Sequence, residues 1–327
     1  MKTSDTPRND TLVGITAKDR KQPGYQRTSV HVIAIATLIT GSALVGTVPA
    51  QAATATSVGV SGGVLNVNAA PGAANRITIS QSGSSFAIRD GGGPLSAGSA
   101  CTAYPIFGLV MCPSSGVTKV SVRLGDKNDT LTVNFSGPVE AFGDDGNDVL
   151  VTGSGDDILD GGLGADKING GAGKDTVDYH IRNAPLLVRL DGSASSGESG
   201  ELDTVGTDVE NIEGGHLGDT LIGNDQGNRI RGYEGNDVIE GQGGKDSLTG
   251  GNDNDRVDGG SEDDTLAGSN DNDIVTGGPG NDVIKGNSGN DILNGQDGVG
   301  YTDTLDGGNQ IDMCAADFLD TKTACEN

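Results

Sequence analysis

Twelve aspartates, Asp148, Asp157, Asp166, Asp175, Asp219, Asp237, Asp246, Asp255, Asp264, Asp273, Asp282 and Asp291, fall at multiples of nine residues within two blocks of a 327-residue chain. Carboxylates repeated at a fixed interval point to cation binding. Side chains eighteen residues apart that are stacked on adjacent strands, about 4.8 Å from one another, repel by about 3 kcal/mol at an effective dielectric of about 20. A hard divalent ion removes that repulsion. Ca²⁺ suits such a ladder better than Mg²⁺, because it accepts six or more oxygens at relaxed spacing and gives up its water readily.

The elements that must position these aspartates are nonapeptides. Four units fill Gly143 to Asp178 and nine fill Gly214 to Asn294. Position six is Asp in twelve of the thirteen units, Asn228 being the exception, and position eight is Leu, Ile or Val in all thirteen. Glycine holds position one in twelve units and position four in eight, which predicts a tight turn with φ > 0 at both. The last three residues of each unit then run extended, with the aliphatic at position eight turned inward and positions seven and nine facing water. Two units make one coil with two short parallel strands on opposite faces, so the spacing predicts an all-β parallel β-roll, a β-solenoid. One buried aliphatic per nine ordered residues is too little to hold such a chain, so metal binding should couple to folding.

The units resemble the hemolysin-type calcium-binding repeat, or RTX nonapeptide repeat, G-G-x-G-x-D-x-U-x. Gly161 to Asn169 and Gly277 to Lys285 carry every fixed position. The resemblance implies Ca²⁺ ions between successive coils on each edge, held by the position-six aspartates and backbone carbonyls. It pairs Asp148 with Asp166 and Asp157 with Asp175, and runs Asp219, Asp237, Asp255, Asp273 and Asp291 along one edge and Asp246, Asp264 and Asp282 along the other. Asn228 lacks the charge, so sites beside it are expected to be weak or empty. Leu217, Gln226, Asp253, Glu262 and Asp271 replace the position-four glycine, and the three acids among them are expected to form a solvated edge, with added metal ligands as the competing reading.

Around the repeats the chain divides into a signal segment (1–52), an N-terminal β region (53–142), the first repeat block (143–178), a bulged insertion (179–204), the second block (205–315) and a C-terminal cap (316–327). The second block starts on a degenerate unit with Glu210 at the aspartate position, and Gly307 to Ala315 is a further unit with Asp312 at position six. The insertion contains one apolar strand, Leu186 to Leu190, and a loop from Asp191 to Glu201. In the N-terminal region strands are expected at Val64–Val67, Arg76–Ser80, Phe86–Arg89, Val117–Leu124 and Thr130–Phe135, with a hairpin turn at Gly83-Ser84-Ser85 and an imperfect lead-in to the roll at Asp129.

Residues 1–52 carry a basic stretch, an apolar run from Val30 to Val48, Pro49, and Ala50-Gln51-Ala52. This is the order of a secretory signal cleaved after Ala52, with a retained membrane anchor as the competing reading. Six of the 21 basic and three of the 46 acidic residues lie in that segment, which leaves 15 against 43, a net charge of about −28. Such a surface disfavours nucleic acid and anionic membranes as partners. Four cysteines in an exported chain suggest disulfides, and 101–112 with 314–325 is favoured among the three connectivities. Zinc is disfavoured, since no histidine lies near either pair.

Evidence for an enzyme is thin. Gly59-Val60-Ser61-Gly62-Gly63 matches G-x-S-x-G, yet a β-rich stretch of this length cannot supply the α/β sheet that a serine elbow needs. His180 and His216 read as surface residues, no His-Glu-x-x-His occurs, and Tyr179, Tyr233 and Tyr301 are too scattered for a stacking platform. The expected function is therefore an exported, non-catalytic, calcium-binding scaffold at a surface or in a matrix. The alternative is a partner-binding or adhesion module in 53–142 carried on a calcium-stiffened stalk, with a cell-surface or matrix partner.

Overall fold

Glycine and short aliphatic stretches allow no broad core, and the chain instead winds two long sheets around two files of side chains, one from each sheet. A computed structural model describes residues 54–298 and 300–326, all within one compact unit. The basic and apolar segment over 1–52, with its cleavage point, lies outside the described residues. Thirty strands form a 14-stranded first sheet and a 16-stranded second sheet, both mainly parallel. Among the described residues no helix is long and apolar enough to cross a membrane.

Within the second block each coil adds one strand to each sheet. In the first sheet Ile230, Leu248, Leu266, Ile284 and Leu305 stand directly beside one another. In the second sheet Ile239, Val257, Val275, Leu293 and Cys314 do the same. All but Cys314 are buried to within about 1 %, so position eight is the core position the period implies. Stacking these single files is what gives each otherwise coreless nonapeptide a hydrophobic contact.

The same two sheets continue into the N-terminal region. Val64–Asn68 pairs parallel with Lys119–Asp126, and Arg76–Ser82 with Thr130–Asn134. All five expected strands lie within two residues of their anticipated bounds, the most displaced being Val117–Leu124, observed as Lys119–Asp126. The strand Val139–Asp145 spans the point where the nonapeptide register begins, and pairs on both sides. Antiparallel hairpins close this end. Thr56–Ser61 turns through Gly62-Gly63, both at positive φ, into Val64–Asn68, so Ser61 ends a hairpin strand. Phe86 meets Phe135 edge-on, with ring centroids 5.2 Å apart.

Both ends carry the paired cysteines, Cys101–Cys112 and Cys314–Cys325. The terminal strands of the two sheets, Leu95–Ala97, Thr102–Tyr104, Met313–Ala315 and Thr321–Thr323, are three residues each. Edges that short offer little template for pairing with another chain.

The insertion between the blocks is an antiparallel excursion rather than a bulged turn. The first sheet steps directly from Thr176–Asp178 to Asn211–Glu213. At the same place the second sheet takes three strands where a regular coil supplies one. Asp203–Val205 pairs parallel with Lys167–Asn169, Ala194–Glu198 runs antiparallel beside it, and Leu186–Arg189 then pairs parallel with Thr220–Ile222. The stretch 191–201, read from sequence as a loop, thus contains a strand. Its Ser and Gly residues mask the extended backbone because neighbouring strands, not side-chain burial, hold it in place.

Candidate metal centre: the aspartate ladders

The six-residue turns set the position-six carboxylates in two rows. On the second-sheet edge the backbone N–H of Asp129 donates to Asp148 Oδ1, Asp148 to Asp166 and Asp166 to Asp203, over 2.7 to 2.9 Å. The row resumes with Asp219, Asp237, Asp255, Asp273, Asp291 and Asp312 and closes on Glu326. On the first-sheet edge Asp157 donates to Asp175 and Asp175 to Glu210. There the row resumes at Asn228 and runs through Asp246, Asp264, Asp282 and Asp303 to Asp320. Each bond ties one coil to the next. Position-five asparagines stitch the same turns in the opposite sense, Asn254 N–H donating to Asn236 Oδ1 and Asn272 to Asn254.

Oδ1 is therefore taken, and Oδ2 is not. In Asp148, Asp157, Asp166, Asp175, Asp237, Asp246, Asp255, Asp264, Asp273, Asp282, Asp291, Asp303 and Asp312 the second carboxylate oxygen is buried without a hydrogen-bond partner. An unpaired buried acceptor costs about 1–3 kcal/mol, and more when charged. Burial raises the carboxyls accordingly, to about 7 in Asp148, Asp166, Asp175, Asp246, Asp255 and Asp282 and about 8 in Asp237 and Asp273. The amide bond from the preceding coil opposes this shift, while neighbouring carboxylates in the row add to it.

Position-one glycines make room for that oxygen. They do not lie at positive φ, contrary to the sequence expectation, which holds for six of the eight position-four glycines, Gly155 and Gly280 excepted, and, unanticipated, for ten of the thirteen position-two residues. A Cβ on Gly241 would strike Asp246 Oδ2 and the carbonyl oxygen of Gly259, and one on Gly286 would strike Asp291 Oδ2 and the carbonyl of Gly307. The required property is the absence of a side chain where a carboxylate oxygen and a carbonyl from the next coil converge.

Two oxygens brought together with no donor between them fit a cation. Among the described residues no three His, Cys, Asp or Glu side chains converge as a metal cluster, so an ion in these turns must draw much of its shell from backbone carbonyls. That donor set is all oxygen, which is the hard, flexible shell of Ca²⁺.

Of the twelve aspartates singled out by spacing, all lie in the two rows and eleven carry the unpaired oxygen. Asp219 differs, because its Oδ2 accepts the Gly215 N–H at 2.7 Å. Asn228 is likewise satisfied, its Oδ1 accepting the Asn224 N–H at 2.8 Å. Asp253, Glu262 and Asp271 are exposed on the turn surface at positive φ, as a solvated edge requires. His180 and His216 are exposed and pair with Asp178 and Glu234.

Spacing missed Asp203 and Asp303, which follow their predecessors by 37 and 21 residues. Both are fully buried. The signal that finds them is the local Asp-x-aliphatic triplet, Asp203-Thr-Val and Asp303-Thr-Leu, read without the upstream glycines. Glu210 holds an aspartate position in a turn, 207–210, that is two residues short of the regular six, and its longer side chain still reaches the Asp175 amide at 2.8 Å.

Asp255→Ala removes the acceptor of the Asp237 amide and one unpaired oxygen. The melting temperature is expected to fall by roughly 4–10 °C in calcium. Asp253→Asn, which keeps a residue tolerant of positive φ at an exposed site, is expected to shift it by less than about 2 °C. Thermal melts followed by circular dichroism check the contrast.

A parallel β-roll whose turns present rows of buried carboxylates defines a calcium-binding structural repeat protein. The family model for the RTX calcium-binding nonapeptide repeat, in four copies, matches residues 142–177, 213–248, 231–266, 267–301 and 276–313. Over these residues the chain carries repeats of the RTX calcium-binding type. No curated protein matches the chain.

Proposed function

We propose that this chain is an exported, non-catalytic scaffold that folds on binding several Ca²⁺ ions outside the cell. The observation that carries this reading is the row of unpaired, buried Oδ2 atoms repeated on both edges of the roll. Asp148, Asp157, Asp166, Asp175, Asp237, Asp246, Asp255, Asp264, Asp273, Asp282 and Asp291 would hold the ions, together with Asp303 and Asp312 and with carbonyls of the turns. Asp219, anticipated as a ligand, already has both oxygens bonded by backbone amides, those of Leu186 and Gly215, and contributes less. Bound calcium supplies the positive charge that lets buried carboxylates stay ionised.

Export is supported by the order of basic, apolar and Ala-x-Ala elements in residues 1–52 and by the two disulfides, which persist in oxidising compartments. A non-catalytic role is supported by the setting of Ser61 at the end of a hairpin strand, without the strand-to-helix turn that would activate it.

One observation favours the alternative, a partner-binding module in 53–142. The turn Pro105–Phe107, next to the Cys101–Cys112 bridge, leaves Ile106 94 % and Phe107 67 % exposed. Isolated residues of that kind are normal singly, but an adjacent pair on a braced loop suits an interface. Cell fractionation and a double substitution decide between the readings. The scaffold reading expects full-length protein outside the cell, retained there in calcium and released by chelation, with retention unchanged by Ile106→Ser/Phe107→Ser. Loss of retention in that double variant with its calcium response intact would favour the module. Protein found only inside the cell would remove export.

A further inference from the structure

We propose that Arg182 is a built-in cation that takes over the role of calcium at the junction of the two repeat blocks, so that the junction holds without metal. The proposal rests on the calcium reading of the ladders and extends it to the one place where both rows are interrupted.

Four observations converge. Arg182 is 6 % exposed, far inside for a guanidinium, and it sits in the antiparallel excursion that replaces a regular coil. It donates to the carbonyl oxygen of Gly162, position two of a repeat turn, and its other nitrogen reaches Glu198 Oε1 and Glu201 Oε1 at 3.3 Å each. Glu201 itself turns back into the repeat, accepting the Gly164 N–H at 3.4 Å and the Glu198 N–H at 2.8 Å. Finally, Asp203, the ladder residue of this junction, has no unpaired oxygen. Its Oδ2 accepts the hydroxyl of the fully buried Tyr179 at 3.0 Å, while its Oδ1 takes the Asp166 amide like any other ladder member.

The junction therefore contains the same ingredients as a regular turn, a turn carbonyl beside carboxylates that are partly (Glu198, Glu201) or fully (Asp203) buried, with one difference. Here a guanidinium and a phenol supply the positive charge and the donor that the other turns lack. A fixed five-donor cation matches carboxylates and carbonyls together, which a lysine ammonium does less well. Glu198, Glu201 and the nearby Asp160 surround Arg182, and all three draw on its charge. Placing the charge covalently removes the dependence on free ion concentration, so this segment keeps its contacts when the rows on either side lose theirs.

Hydrogen–deuterium exchange on residues 53–327, with calcium and after its removal, tests this at pH 7. In the wild type without calcium, amides of 186–189 and 203–205 are expected to exchange at least about tenfold more slowly than those of 238–240, 256–258 and 274–276. Arg182→Met, similar in length and uncharged, is expected to erase that difference, and Arg182→Lys to restore part of it. If metal-free junction amides exchange as fast as the second-block strands while those strands respond to calcium, the proposal fails and the calcium reading stands. An Arg182→Met chain whose junction stays protected without metal also overturns it. Second-block strands indifferent to calcium would overturn the calcium reading, and the proposal with it. Should Arg182→Met fail to accumulate, Tyr179→Phe gives the second measurement. It frees Asp203 Oδ2 and is expected to lower metal-free protection of 203–205 at least about threefold, and no change there counts against the proposal.

Discussion

Stripped of calcium at neutral pH, the second repeat block is expected to lose its strand signal in circular dichroism, to regain it on addition of millimolar Ca²⁺, and to respond far less to Mg²⁺. The size of the effect follows from mass action. An extracellular-type site with a dissociation constant of about 0.1 mM, facing about 1 mM calcium, contributes about 1.4 kcal/mol to the folded state. Seven such sites, about half the number of unpaired ladder oxygens, contribute on the order of 10 kcal/mol, comparable to the whole stability of an ordinary domain. Position eight offers only one aliphatic per unit to set against that loss. An undiminished strand signal in chelator, or equal recovery with Mg²⁺, would show that the carboxylate rows are not held by calcium.

The second large effect is a reversal of pH dependence. Among the ladder carboxyls Asp264 is raised from 3.8 to about 6, Asp148 to about 7, and Asp237 and Asp273 to about 8, first by burial and then by their neighbours. Without metal the folded chain therefore holds protons that the unfolded chain releases. Stability gained this way is fully present below about pH 4 and is lost as pH climbs through about 6 to 8. Metal-free protein is thus expected to melt higher at pH 5 than at pH 8, by on the order of 10 °C. Calcium-loaded protein behaves in the opposite way over the same window, because protons and the ion compete for the same oxygens. Paired melts at pH 5 and pH 8, on metal-free and calcium-saturated samples, give the two slopes. Equal slopes in both samples would mean that the ladder oxygens do not exchange protons for the ion.

The roll was legible in the sequence because period nine fixes both faces of a coil at once. Asp237 and Asp255 could be placed in one row, and Leu248 and Leu266 in one file, from spacing alone. Where the period breaks, the reading lost its footing. Asp203 and Asp303 stand in the rows through chain excursions that no interval predicts, and the strand Ala194–Glu198 is extended because its neighbours hold it there. Tyr179 looked like one of three scattered tyrosines, yet it is buried against Asp203. A one-residue change also hides the cause of a pattern. Glycine at position one is plain in the sequence, but only the three-dimensional arrangement distinguishes a need for positive φ from a need for empty space beside a carboxylate.

Alternation of successive nonapeptides between the two sheets sets the increment by which such a molecule can change length. Loss or gain of one unit within the second block would move every later strand to the other side. Outward rows such as Ile274, Ile292 and Met313 would exchange places with Thr265, Val283 and Thr304, and each aspartate beyond that point would join the wrong row. Gene duplication or deletion in this block can therefore preserve its surface only in whole coils of eighteen residues, and variation in length among natural versions should come in that quantum.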